Sequence, residues 1–206
     1  MKKCAIIVET RIGDKYVDVI KQHMKHLPSD WDLAIVTNED NFSYYHQRFP
    51  SAYLFHCSEI KDANDYNRLL TSFDFWGQFT YYDKVLIFQH DSMILRNNID
   101  EFLKYDYVGA CWSFQPHGGN GGLSLRNPKV MKDICMRYPY YTTMGNEDLY
   151  FCNVMNINHV GYLADRESCS RFSMEVIYQE GTFGIHAIDR YHDEETCKKI
   201  IAQEEL

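Results

Sequence analysis

Two hydrophobic rhythms alternate along the first half of the chain. Cys4 to Glu9 is an apolar, β-rich run, and between Tyr16 and Leu27 the residues Val17, Ile20, Met24 and Leu27 recur at helical spacing. Leu33 to Val36 returns to the strand rhythm. Phe42, Tyr45 and Phe49 mark a short helix before Pro50, and Ala52 to Phe55 reads as a third strand. Asn64 to Gly77 reads as one helix and Val85 to Phe88 as a fourth strand. This β-α-β-α-β-α-β order predicts an α/β fold with a mostly parallel central sheet flanked by helices. His23 and His26 are expected on the solvated face of the first helix.

The second half is less regular. Tyr107 to Cys111 reads as a strand, followed by the cluster Gly118, Gly119, Gly121 and Gly122 and a strand from Leu123 to Arg126. Asn127-Pro128 is a helix start with proline at the first helical position, and that helix ends near Arg137. Asn146-Glu147-Asp148 opens another, running to about Met155. In the tail, Glu194 with Lys198 and Glu195 with Lys199 stand at i,i+4, which predicts a solvated helix over 193–206. No repeat, low-complexity tract or linker divides the sequence, so one domain over 1–206 is expected.

In such sheets ligands bind at the carboxyl ends of the strands. That rule draws attention to VLIFQHDSMIL, Val85 to Leu95, where Gln89, His90, Asp91 and Ser92 break an apolar run. One strand-end carboxylate with polar neighbours suits a hard divalent cation, which keeps waters or phosphates as its other ligands; the same residues also suit a turn capped by Asp91. Thr10, Arg11, Thr37 and Asn38 follow other strands. Gly118 to Arg126, GGNGGLSLR, lets backbone N–H groups approach a ligand or forms a surface turn. It is neither a Walker loop nor a dinucleotide fingerprint. Glu147 and Asp148 offer a general base, or the ordinary acidic first turn of a helix behind an Asn cap. His186 is a metal ligand or a structural histidine. Trp112 is a stacking platform or core.

Composition narrows the classes. A net charge of −8 disfavours a nucleic-acid surface, so the positive charge for an anionic ligand has to be supplied locally. No stretch reaches the ~20 apolar residues of a membrane span. Cys4 to Val8 is too short for a leader's apolar region, and the seven cysteines include no C-x-x-C, so reduced thiols in a cytoplasmic protein are expected.

Taken in order, VETR (Val8 to Arg11), YNRLLTSFDFW (Tyr66 to Trp76), QHDSMIL (Gln89 to Leu95), DYVGACW (Asp106 to Trp112), GNGGLSLR (Gly119 to Arg126), NEDLYF (Asn146 to Phe151), FSME (Phe172 to Glu175) and FGIH (Phe183 to His186) resemble a bacterial and viral family of glycosyltransferases with a GT-A-type fold, catalogued as a domain of unknown function. The resemblance implies a Rossmann-like nucleotide-sugar domain. It implies donor contacts from Thr10, Arg11, Arg68, Gln89, His90, Asp91, Ser92, Asn120, Gly121 and Gly122. Gln89-His90-Asp91 aligns with the metal-binding D-x-D motif. Gln89 stands where the first acid would be, so Asp91 is the single ionised ligand of a Mn²⁺ or Mg²⁺ ion that His186 completes. The acidic pair aligns with the acceptor-side acid, Asp148 rather than Glu147 being the base of an inverting transfer. The implied partners are a UDP- or other NDP-sugar donor and a glycan or other hydroxyl acceptor. Two other classes fit the residues: a metal-dependent phosphohydrolase or nucleotidyltransferase using Asp91, and a non-catalytic nucleotide- or glycan-binding module.

Overall fold

The computed structural model describes residues 1–204. Nine strands and eight α-helices are formed among them: β1 (Lys3–Val8), α1 (Asp14–His26), β2 (Trp31–Thr37), α2 (Phe42–Arg48), β3 (Tyr53–His56), α3 (Ala63–Leu70), α4 (Phe73–Gly77), β4 (Lys84–Phe88), β5 (Ser92–Ile94), β6 (Tyr107–Ala110), β7 (Asn120–Arg126), α5 (Pro128–Arg137), α6 (Glu147–Asn158), α7 (Arg166–Phe172), β8 (Ser173–Met174), β9 (Gly184–His186) and α8 (Glu194–Ile201).

Six strands form the main sheet in the order β3-β2-β1-β4-β7-β6. β3, β2, β1 and β4 are parallel, and β7 runs antiparallel to both β4 and β6. The strands read as continuous apolar runs because both faces are covered. Ala5, Ile7, Leu86 and Phe88 face one core with α1 and α7, while Cys4, Ile6, Val85 and Ile87 face the other with α3 to α6. Burying each such aliphatic side chain contributes roughly 1.5–3 kcal/mol. The carboxyl ends of β1, β2 and β4 and the amino end of β7 lie along one edge. Gln89 N donates to Gly122 O there, extending the β4–β7 ladder one step past the strand.

The mostly parallel, helix-flanked sheet follows the pattern, but several details differ from it. Asn64 to Gly77 is two helices, because the Ser72 hydroxyl accepts the N–H groups of Asp74 and Phe75 and starts α4 afresh. α6 runs on to Asn158, where His159 closes it in the left-handed conformation. His23 and His26 are buried, not solvated: His23 stacks on Phe88 at 4.2 Å, and His26 is held between Asn97 and Glu204. The tail helix makes both of its i,i+4 ion pairs, yet Ile200 packs into a third core with Met174 and Ile185. Glu205 and Leu206, the last residues of that expected helix, lie outside the described residues.

A second sheet, β5-β9-β8, has no counterpart in the periodicity. Among the described residues no helix is long and apolar enough to cross a membrane.

Candidate functional site

The carboxyl edge of the main sheet opens into a cavity of about 520 Å³. Its walls come from the ends of β1 and β4, the start of β7, α3, the first turn of α6 and the end of the small sheet. Thr10, Arg11, Gln89, His90, Asn120, Gly122, Glu147, Asp148 and His186 all line it. Residues about 180 positions apart, Val8 and Tyr191 among them, thus meet in one chamber.

One wall is cationic. Arg11 is clamped by Glu9, whose carboxylate accepts from Nε and Nη2 at 2.7 Å each and from the Arg11 backbone N–H at 2.9 Å. A bidentate pair of this kind fixes the guanidinium plane. Its Nη2 also lies 3.2 Å from His90 Nδ1, and burial depresses the His90 pKa. Arg190, on the turn after β9, reaches Asp91 Oδ2 at 2.7 Å.

Asp91 does not itself line the cavity, but it meets His186, which does. Asp91 Oδ1 is 3.3 Å from His186 Nε2, and Gln89 Oε1 is 3.2 Å from the same nitrogen. Burial raises the Asp91 pKa, but His186, His90 and Arg190 outweigh it and hold the acid at about 2. Burial likewise disfavours a charged His186, and Asp91 with Glu175 reverses this, lifting it to about 9. Asp91 Oδ1 is buried without an aligned hydrogen bond. That orphaned oxygen, an imidazole nitrogen and an amide oxygen converge as donors of the kind a divalent cation accepts, and the mixed N/O set suits Mn²⁺ better than Mg²⁺. Among the described residues no three His, Cys, Asp or Glu side chains are grouped to hold a metal, so the donors here fit only a cation with few protein ligands and with a ligand's oxygens and water as the remainder.

A second part of the wall is acidic and buried. Glu147 accepts from the fully buried Arg126 at 2.5 and 2.9 Å, and Arg126 also rests against the rings of Tyr107, Trp76 and Phe151. Asp148 is 7% exposed and accepts N–H bonds from Gly121 at 2.9 Å and Leu149 at 2.7 Å. Burial foremost, and then the Glu147 charge, raise its pKa to about 6. The first turn of α6 thus contains neither ordinary helix acids nor an ordinary cap. Asn146 makes no side-chain cap bond and instead receives the Asn67 amide at 3.1 Å.

Other candidates sit elsewhere. Arg68 is exposed, pairs with Asp65 at 3.6 Å and does not line the cavity; its neighbours Tyr66 and Asn67 do. Ser92 is buried under the β4–β5 turn, donating to Gln89 O at 2.6 Å and lying 3.0 Å from His23 Nε2. Burial depresses His23 to about 4, so this histidine is neutral. Gly121 and Gly122 lie within β7 rather than in a mobile turn. At Gly122 a Cβ would stand 2.1 Å from His186 Nε2, so glycine leaves the room the imidazole occupies. Glu175 and Arg190 carried no individual signal in the sequence. Glu175 belongs to the FSME block and Arg190 follows FGIH by four residues, and only the small sheet brings them to Asp91.

Residues 43–186 match the model of the family described as "Protein of unknown function (DUF5672)", and the chain belongs to that family. No curated protein matches the sequence. Among solved structures, the apo-form glycosyltransferase GlyE of Streptococcus pneumoniae TIGR4 is similar at a TM-score of 0.56 and 12% identity, over 94% of this chain and 55% of that one. The mannosyltransferase PcManGT of Pyrobaculum calidifontis, in complex with GDP-Man and Mn²⁺, is similar at a TM-score of 0.57 and 13% identity, over 90% of this chain and 56% of that one. The fold is therefore that of GT-A-like glycosyltransferases, and the chain spans little more than half the length of each of these neighbours.

Proposed function

We propose that this member of the DUF5672 family is a cation-assisted, inverting glycosyltransferase, with the donor site and the base carried on one domain. The observation that carries the reading is a single cavity with two unlike walls. One holds His186 and the guanidinium groups of Arg11 and Arg190, with Asp91 set against His186 and Arg190 from outside the lining; the other holds Asp148, a buried carboxyl whose pKa is raised to about 6. Transfer from a nucleotide sugar needs both halves: positive charge where the diphosphate leaves, and a base where the acceptor hydroxyl loses its proton.

In this reading Arg11, His90 and Arg190 bind the donor diphosphate, and Asn120 and Gly122 lie along the sugar. Asp91, His186 and Gln89 would hold the cation, Mn²⁺ as in the PcManGT complex, and a bound cation neutralises charge on the departing diphosphate. Asp148 faces the acceptor. As the acceptor oxygen bonds to the anomeric carbon, the bond from that carbon to the diphosphate oxygen breaks, the acceptor proton passes to Asp148, and nucleoside diphosphate leaves with the bonding electron pair. Glu147 is committed to Arg126 and serves to keep Asp148 in place and its pKa high.

The test is incubation of the protein with a panel of nucleotide sugars and Mn²⁺. Release of nucleoside diphosphate with free or transferred sugar supports the reading. Release of sugar phosphate or nucleoside monophosphate identifies a phosphohydrolase or nucleotidyltransferase instead. Thermal stabilisation by nucleotide without turnover, acceptor included, identifies a binding module.

A further inference from the structure

The small sheet contains strands of only three, three and two residues. Its register has a chemical consequence. β5 runs antiparallel to β9 with Ser92 opposite His186, and the ladder continues where Ala187 N donates to Asp91 O at 2.8 Å. Ala187 is in the left-handed conformation, which turns the chain just after His186 and brings its N–H to that carbonyl. β8 runs parallel to β9 with Met174 opposite Ile185, so the next residue, Glu175, comes alongside His186. Asp91, His186 and Glu175 thus form a row across one end of the sheet. Asp91 Oδ1 is 3.3 Å from Nε2, and Glu175 Oε1 is 3.2 Å from Nδ1.

We propose that Glu175 is a positioning residue for His186. Once the Nε2 proton is lost to solvent as the site loads, Glu175 keeps the other proton on Nδ1 and turns the Nε2 lone pair toward the cation shared with Asp91. The inference rests on the cation-assisted reading above. A histidine that ligates through one nitrogen commonly donates the other N–H to a carboxylate, which fixes both tautomer and ring orientation. Glu175 is built for this. It is 5% exposed, and among the described residues its carboxylate pairs with no cation but His186. Its carbonyl is tied to His192 Nε2 at 2.7 Å, which fixes the backbone beneath it. Nδ1 is at ion-pair distance from Glu175 Oε1 without an aligned hydrogen bond. On the other side of the ring, Gly122 leaves Nε2 unobstructed.

The experiment is titration of Mn²⁺ into the full chain, with free Mn²⁺ read by electron paramagnetic resonance. Glu175→Met, similar in volume but with no acceptor, is expected to weaken Mn²⁺ about 10- to 100-fold, and Glu175→Gln, which keeps an acceptor oxygen, to recover part of the loss. In Mg²⁺-loaded wild type, nitrogen-15 spectra should place the His186 proton on Nδ1, a preference that Glu175→Met loses. Retained cooperative melting of both variants shows that the fold has survived. Mn²⁺ affinity in Glu175→Met within about threefold of wild type, while Asp91→Asn loses binding, would overturn this inference and leave the cation site standing. Wild type that binds no Mn²⁺, with or without nucleoside diphosphate, would overturn the cation site and this inference with it.

Discussion

Replacing Asp148 by asparagine separates the two roles of that side chain. Its folded pKa of about 6 lies above the 3.8 of a free aspartate, chiefly through burial and then the Glu147 charge. Between these values Asp148 holds its proton in the folded protein and not in the unfolded chain, so its own contribution to stability falls as pH rises through the window and levels off above about 6. About two pH units at ~1.4 kcal/mol each put the penalty at neutral pH near ~3 kcal/mol. Asparagine carries no such penalty. It does offer only one oxygen where Asp148 accepts from both Gly121 N and Leu149 N, and an unpaired buried N–H costs about 1–3 kcal/mol. The variant should therefore be the less stable protein near pH 4 and equal or superior to wild type at pH 7–8. Urea unfolding midpoints of both proteins across pH 4–8 measure the crossover. Turnover supplies the second readout: wild-type kcat/KM should rise to a plateau above about pH 6, while Asp148→Asn loses transfer and keeps nucleotide binding. Stability curves that stay parallel across the range, or unchanged turnover in the variant, would refute the reasoning.

Four other perturbations follow from the same geometry. Arg126→Met strands the Glu147 carboxylate in the core and should cost about 3–5 kcal/mol in denaturant unfolding, with Arg126→Met/Glu147→Gln recovering much of it. Gly122→Ala drives a Cβ to 2.1 Å from His186 Nε2, so Mn²⁺ affinity and transfer should both collapse while cooperative melting persists. Arg68→Ala removes an exposed side chain outside the cavity and should leave stability within about 0.5 kcal/mol and nucleotide affinity unchanged in calorimetric titration. Arg11→Ala, which removes a guanidinium fixed in the cavity wall, should weaken nucleotide binding about tenfold or more, as expected for a charge-assisted contact of ~1.5–3 kcal/mol.

The main sheet was legible because β1, β2 and β4 are buried on both faces, and that condition writes itself into the chain as unbroken apolar runs. The strand-end rule then pointed at Thr10, Arg11 and Gln89 before any coordinates. What failed did so for identifiable reasons. Ser72 divides a helix that periodicity joins, because one hydroxyl can cap a new turn without disturbing the apolar spacing. β5, β8 and β9 are too short to show a period of two. His23 and His26 read as solvent-facing by residue type, although His23 stands three residues after Ile20 and four before Leu27; their partners Ser92, Asn97 and Glu204 arrive from remote segments. Arg126 looked like the polar end of a strand, and only Glu147 makes its complete burial tolerable.

The sequence by itself determined the strands of the main sheet and which edge of it carries polar residues, and it put forward Asp91, Asp148 and His186 as candidates. The tertiary structure alone decided their company. It set Glu147 against Arg126, turned Asp148 toward the cavity as a carboxyl of raised pKa, and aligned Asp91, His186 and Glu175 in one row. The physical reason is range. Hydrophobic periodicity is imprinted by neighbours three or four residues apart, whereas charge pairing and desolvation depend on distances of a few ångströms between residues that only strand register brings together.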